Sequence, residues 1–177
     1  MSKGVTQLPS AKQRIIDAFL TTLSTTPFAD MRVKQLVLEA KVSRATFYNC
    51  FSDKWALLDE VREQLNQTLL DFYRTHDDPF PTLAICRHIL RYRAFYKLEF
   101  NDAGEVQKLS SALVPLLNET FHDLEYATFA SYGTIGYLSA WARHDFPVSP
   151  SEAAHKLMKI GRTNWAERVD ARIGEGK

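Results

Sequence analysis

Val42-Ser43-Arg44-Ala45-Thr46-Phe47-Tyr48-Asn49-Cys50-Phe51 is the stretch on which the fold turns. Ser43 carries a hydroxyl where a helix needs an N-cap. Phe47 and Phe51 stand four apart, so they share one side of a helix, and Val42 precedes them. Arg44, Thr46, Tyr48 and Asn49 fall on the other side. The segment predicts a short helix anchored from behind by bulky side chains and showing a hydrogen-bonding front.

Towards the N-terminus the spacing predicts two more helices. Ser10 is placed to cap a first one, in which Ile15, Ile16, Phe19, Leu20 and Leu23 recur at helical intervals. Thr25, Thr26 and Pro27 end it, because proline disfavours a helical residue before it. Asp30 is placed to cap a second, with Val33, Leu36, Val37 and Ala40 inward, which stops near Lys41. Two short helices joined by a tight turn, with a third packed across them, can present one helix to the DNA major groove.

Towards the C-terminus, Ser52 and Asp53 open a fourth helix through Trp55, Leu57, Leu58, Val61, Leu65, Leu69 and Phe72. Asp77-Asp78-Pro79-Phe80-Pro81 is the clearest breaker in the chain. Three helical regions follow it: Thr82 to Glu99; Val106 to Asp145, broken near Pro115 and again near His122; and Ser151 to Ile173, capped by Ser149 or Ser151. No segment alternates long enough for a strand, so the chain reads as all-α. The division read from this pattern is an arm at 1–9, a three-helix helix-turn-helix domain at 10–58 and a helical bundle at 59–177.

Composition narrows the class. With 45% hydrophobic and 24% charged residues the chain is close to an ordinary globular protein. It has no apolar run of the roughly 18 residues a membrane span needs and no signal-like apolar core, which predicts a cytoplasmic protein. Cys50 and Cys86 are too few for a disulfide framework. His76, His88, His122, His144 and His155 form no metal-binding pair at helical spacing, and no phosphate loop or nucleophile elbow occurs. Metal, cofactor and enzymatic activity are therefore not expected. Charge is divided unevenly: residues 1–55 hold eight Lys/Arg against four acids, a net +4, and the remainder fourteen against seventeen, a net −3. A basic head on a mildly acidic body suits a phosphate-binding module joined to an assembly domain.

The segment Val42 to Phe51, followed by Ser52-Asp53-Lys54-Trp55-Ala56-Leu57-Leu58, resembles the signature of the TetR/AcrR family of transcriptional regulators over residues 12–60. The resemblance implies double-stranded DNA as partner, at a palindromic operator read by a homodimer. It implies base or phosphate contacts by Arg44, Ala45, Thr46 and Asn49, with Tyr48 and Lys54 holding the DNA backbone. Arg44 suits a bidentate contact to guanine and Ala45 a thymine methyl, although a bare surface charge is the plain alternative for Arg44. A cation at the N-terminal turn of a helix opposes the dipole, so Lys54 calls for an external anion. Lys41 stands where the family commonly has glycine, which costs about 1 kcal/mol if the backbone there is left-handed.

Ala127 to Trp141, small and large residues mixed, and the last helix with Ala153, Ala154, Leu157, Ile160 and Trp165 offer apolar faces that either form a four-helix dimer interface or close the monomer core. The pattern Tyr132-Gly133-x-x-Gly136 through Trp141, with Asp145-Phe146-Pro147 and Ser149-Pro150, also resembles the dihydroxyacetone kinase regulator type within that family. A small-molecule effector that releases a repressor from DNA is implied by the same resemblance. Cys86, His88, Tyr92, Tyr96, Tyr126 and Phe129 are its candidate pocket residues, against the alternative that such aromatics are plain core. A rival reading, a helical adaptor for other proteins with a nonfunctional head, gives no reason to keep Thr46, Tyr48 and Lys54 together.

Overall fold

Ser10 accepts a hydrogen bond from the Gln13 amide at 3.1 Å and starts α1, Ala11–Leu23. The computed structural model describes residues 9–74 and 81–162. A three-residue 3-10 helix, Phe28–Asp30, follows, and α2 spans Val33–Glu39. Asp30 is not the cap of α2, because it is spent inside the 3-10 turn. That place is taken by Arg32, whose amide donates to the Gln35 side chain at 2.9 Å. The recognition segment is α3, Arg44–Cys50, and the long α4 runs Lys54–Arg74. Asp53 opens α4 by accepting from the amides of Trp55 and Ala56 at 2.8 and 2.9 Å.

The region read as one helix from Thr82 to Glu99 is two, α5 (Pro81–Arg91) and α6 (Arg93–Glu99). They part at Tyr92, whose backbone leaves the helical region at φ −106°, ψ 37° while its ring meets the His88 ring at 5.1 Å. The bend lays α6 against α1. Conversely, the break expected near Pro115 is absent: α7 runs unbroken over Ala103–Phe121 with Pro115 on its exposed side. The break near His122 is present, with His122 in the left-handed region at φ 53°. Asp123 then caps α8, Leu124–Arg143, through the Tyr126 amide. Asp145 and Phe146 are also left-handed, and the Phe146 amide closes back on the Trp141 carbonyl at 2.9 Å. Ser149 caps α9, Pro150–Gly161, by accepting from the Glu152 amide. The expected continuation of α9 through Trp165 to Ile173, the arm at 1–8 and the breaker at 77–80 lie outside the described residues.

The described residues are all-helical, without a strand. α1 packs on α2 and α3; α7 and α8 pack along each other as a hairpin; α5 packs on α9. α4 starts beside α3 and goes on to touch α5 and α7. Its buried residues Leu57, Leu58, Val61, Leu65 and Leu69 join the buried apolar residues of both ends into one contiguous cluster. At roughly 1.5–3 kcal/mol per buried large apolar side chain, this shared seam ties the N-terminal helices to the bundle.

Candidate nucleic-acid interface

The turn between α2 and α3 is made by Ala40–Ser43. Lys41 is left-handed at φ 53°, the conformation that a glycine would adopt without strain. The Val42 amide closes the end of α2 on the Val37 carbonyl at 3.0 Å. Ser43 then caps α3, its hydroxyl accepting from the Thr46 amide at 3.0 Å and bonding the Thr46 hydroxyl at 2.8 Å. Behind the helix, Phe47 is fully buried and Phe51 nearly so, their rings 5.9 Å apart. In front, Arg44, Ala45, Tyr48 and Asn49 are exposed, Tyr48 at 52% with its ring propped edge-on against Phe47. Thr46 is half-buried, its hydroxyl engaged by Ser43, so it stands behind the exposed four.

The structure gives Lys54 a different role from the external one read for it. Its ammonium donates to the carbonyls of Phe28, Ala29 and Met31 at 2.8, 2.9 and 3.0 Å, and lies 4.8 Å from the centre of the Phe28 ring. An ammonium has three donors, and here all three meet carbonyls. The cation at the start of α4 therefore has an internal answer: it staples that helix to the 3-10 turn after α1. The staple escaped the sequence reading because three residues are too few to show periodicity.

Five basic residues of the N-terminal helices, Arg14, Arg32, Lys34, Lys41 and Arg44, are exposed and form no ion pair among the described residues. Lys12 differs, pairing with Glu60 of α4 at 2.7 Å. Of the five, only Arg44 is a contact candidate from sequence; for Arg14, Arg32, Lys34 and Lys41 the concentration of positive charge in residues 1–55 is the available signal.

The six candidate pocket residues do not form one cavity. Cys86 and Tyr96 have no exposed surface and His88 almost none. The Tyr96 hydroxyl donates to the Leu65 carbonyl of α4 at 3.0 Å, and His88 Nε2 lies 2.9 Å from that hydroxyl and 3.2 Å from the same carbonyl. These side chains are core that grips α4. Burial pushes the Cys86 thiol up to about 12 and lowers the His88 imidazole below its ordinary value. Tyr92 is half-buried against His88. Tyr126 and Phe129 stand elsewhere, on an apolar groove of about 400 Å³ that they share with Phe121.

One helical turn from the Leu65 contact, Glu99 is buried at 1% exposure and accepts from Arg62 Nε at 3.0 and 2.9 Å and from Asn66 Nδ2 at 3.0 Å. Burial raises the Glu99 carboxyl above the ordinary glutamate value despite Arg62 and Asn66. Sequence reading missed this network, because a glutamate at the end of a helix gives no sign that it will be buried. Among the described residues no cluster could hold a metal ion, and no helix is long and apolar enough to cross a membrane.

Comparison with known proteins places the architecture. No family model matches the chain. A curated relative, the uncharacterised HTH-type transcriptional regulator YxbF of Bacillus subtilis strain 168, is 22% identical over 85% of this chain, which spans only 44% of that relative's length. Among solved structures, a TetR/AcrR-family transcriptional regulator from Aquifex aeolicus VF5 superposes with a TM-score of 0.68 at 16% identity, over 85% of this chain and 96% of that one. A TetR transcriptional regulator from Streptococcus agalactiae 2603V gives a TM-score of 0.61 at 20% identity, covering 86% and 94%. The dihydroxyacetone kinase operon activator DhaS gives 0.60 at 18% identity, covering 85% and 93%. The chain has the fold of the TetR/AcrR transcriptional regulators.

Proposed function

We propose that the chain is a DNA-binding transcriptional regulator of the TetR/AcrR type, acting as a homodimer on a palindromic operator, with residues 10–58 reading DNA and 59–177 providing assembly and ligand response. The observation that carries this reading is α3: a seven-residue helix held from behind by buried Phe47 and Phe51, with Arg44, Ala45, Tyr48 and Asn49 free in front. A helix so anchored keeps its orientation when its exposed side meets base edges and phosphates. The exposed cations of the N-terminal helices, which form no ion pair among the described residues, would supply a sequence-independent attraction to the duplex. Thr46 contributes through its contact with Ser43 and the edge it leaves exposed. Lys54 contributes by fixing the frame.

Repression, relieved by a small-molecule effector, is the mode we favour, because a bound dimer blocks polymerase with no further contact. The name of DhaS describes an activator, so the fold itself does not set the sign. The test is fluorescence anisotropy on DNA flanking the gene, at several salt concentrations. A complex whose affinity falls steeply with salt, and which prefers one palindromic fragment over scrambled DNA, is expected. Equal binding to all fragments, or none, defeats the reading.

A further inference from the structure

Tyr92 parts α5 from α6, and the residues on either side of it are arginines. Both are exposed, and both guanidinium groups lie over aromatic rings: Arg91 over Tyr92 and Arg93 over Phe146, each 5.4 Å from the ring centre. Arg93 also gives Nη2 to Asp145 at 2.7 Å and keeps its other N–H groups, while Lys97 meets the same carboxylate at 2.6 Å. One carboxylate between two cations leaves positive charge in surplus. A stacked guanidinium has its orientation set before a partner arrives. The corner as a whole is basic. From Pro81 to Glu99 stand Arg87, Arg91, Arg93 and Lys97, and the single acid, Glu99, is buried, although residues 56–177 together carry a net −3.

This corner adjoins the N-terminal helices. Arg91 and Arg93 share a recess with Leu20, Thr21 and Ser24 of α1, and no acid lines it. Thr26 lines a second recess with Arg32 and Lys34, where Asp30 is the acid. Ser24 and Thr26 are at most about 7 Å apart along the chain, so the two recesses neighbour each other across the turn after α1. We infer that these cations, from Arg32 and Lys34 across that turn to Arg91 and Arg93, hold the phosphate backbone of DNA beyond the stretch that α3 reads. The bundle as well as the helix-turn-helix then touches the duplex. The inference rests on the regulator reading for its choice of DNA as partner. An acidic protein segment is the competing partner. It accounts for Arg91 and Arg93 but gives no reason for the cations to continue onto α2, whereas a backbone of regularly spaced phosphates does.

The test is fluorescence anisotropy of the full-length protein with two mixed-sequence duplexes at several salt concentrations. One duplex has about 20 base pairs, the span of two half-sites, and the other about 40. On the longer duplex Arg91→Ala is expected to flatten the slope of log K against log salt by about 0.9 for each protomer bound. On the shorter its slope should match the parent's. Arg91→Lys should restore the slope, since charge sets counterion release, yet bind the longer duplex about threefold more weakly because the stacked fork is lost. Arg74→Ala, at the far end of α4, should change neither slope. A parent-like slope for Arg91→Ala on the longer duplex, equal flattening on both duplexes, or Arg74→Ala acting like Arg91→Ala would overturn the inference. Parent-like slopes together with Arg91-dependent binding of a labelled polyglutamate peptide would assign the corner to an acidic protein instead. Mixed-sequence binding with the expected slopes but no preference for a palindromic fragment sinks only the operator reading. Palindrome preference with a parent-like Arg91→Ala sinks only this inference, and a protein that binds neither duplex sinks both.

Discussion

Lys54 and Arg44 are both cations of the N-terminal helices, and their surroundings assign them opposite duties. Lys54 is half-buried with three carbonyl partners; Lys54→Met should cost about 2 kcal/mol of stability, the scale of charge-assisted hydrogen bonds lost from a partly covered site. Its effect on the salt dependence of DNA binding separates staple from phosphate contact. A phosphate contact removed would flatten the slope of log K against log salt by about 0.9, whereas loss of a staple lowers affinity and leaves the slope alone. Chemical denaturation and binding isotherms at three salt concentrations decide it, and a flattened slope with unchanged stability would restore the external role. Arg44 is exposed and has no ion-pair partner among the described residues, so Arg44→Ala should leave the denaturation midpoint unmoved while costing about 1–3 kcal/mol of operator affinity and narrowing the preference over scrambled DNA. At this scale the front of α3 was legible, because Phe47 and Phe51 fix which side is buried. The engagement of Lys54 was not, since its acceptors lie more than twenty residues away in the chain.

At the scale of elements, caps read well and kinks read badly. Ser10, Ser43 and Ser149 cap where the sequence put them, since a cap is a local bond between neighbours. The bend at Tyr92 comes from packing between α6 and α1 and leaves no local mark. Pro115 reads in the other direction: α7, packed along α8, continues unbroken through a residue that lacks an amide donor. Pro115→Ala should therefore stabilise the protein by about 1–3 kcal/mol; a loss of stability on urea denaturation would show that the proline shapes the hairpin. α4 is gripped by α6 through Glu99, which holds Arg62 and Asn66. Glu99→Gln, the neutral isostere, should not lower stability at neutral pH, because the buried site favours the uncharged form on balance. The pH dependence has a definite sign. Burial raises the folded carboxyl above its ordinary value of 4.5, so the folded state binds more protons in that window and stability rises as pH falls through it. Wild type should thus gain on Glu99→Gln as pH drops from neutral to below 4.5, read as the difference between two urea titrations. A constant gap would mean that the carboxyl titrates normally.

For the whole molecule the decisive question is why α8 tolerates two glycines in its interior. Gly133 and Gly136 each meet open space where a Cβ would be, so nothing among the described residues requires them, and each costs roughly 0.5–1 kcal/mol against alanine in a helix. With Phe129, and with Met158 and Ile160 of α9, they leave apolar surface uncovered on the described residues. A second copy crossing closely at Gly133 and Gly136 would account for both residues, and a twofold axis there would give two copies of α3 related as palindromic half-sites are. The sequence showed the small residues but left open whether they closed the core or an interface; their outward direction in the structure favours the interface. Gly136→Leu should then preserve helix content by circular dichroism while shifting sedimentation from dimer towards monomer, and operator affinity should fall towards that of an isolated half-site. Gly136→Ala separates the two costs: it should raise the stability of a protomer at dilution and weaken association. If both variants sediment as the parent does, the twofold arrangement lies on another face, and the palindromic operator loses its structural ground.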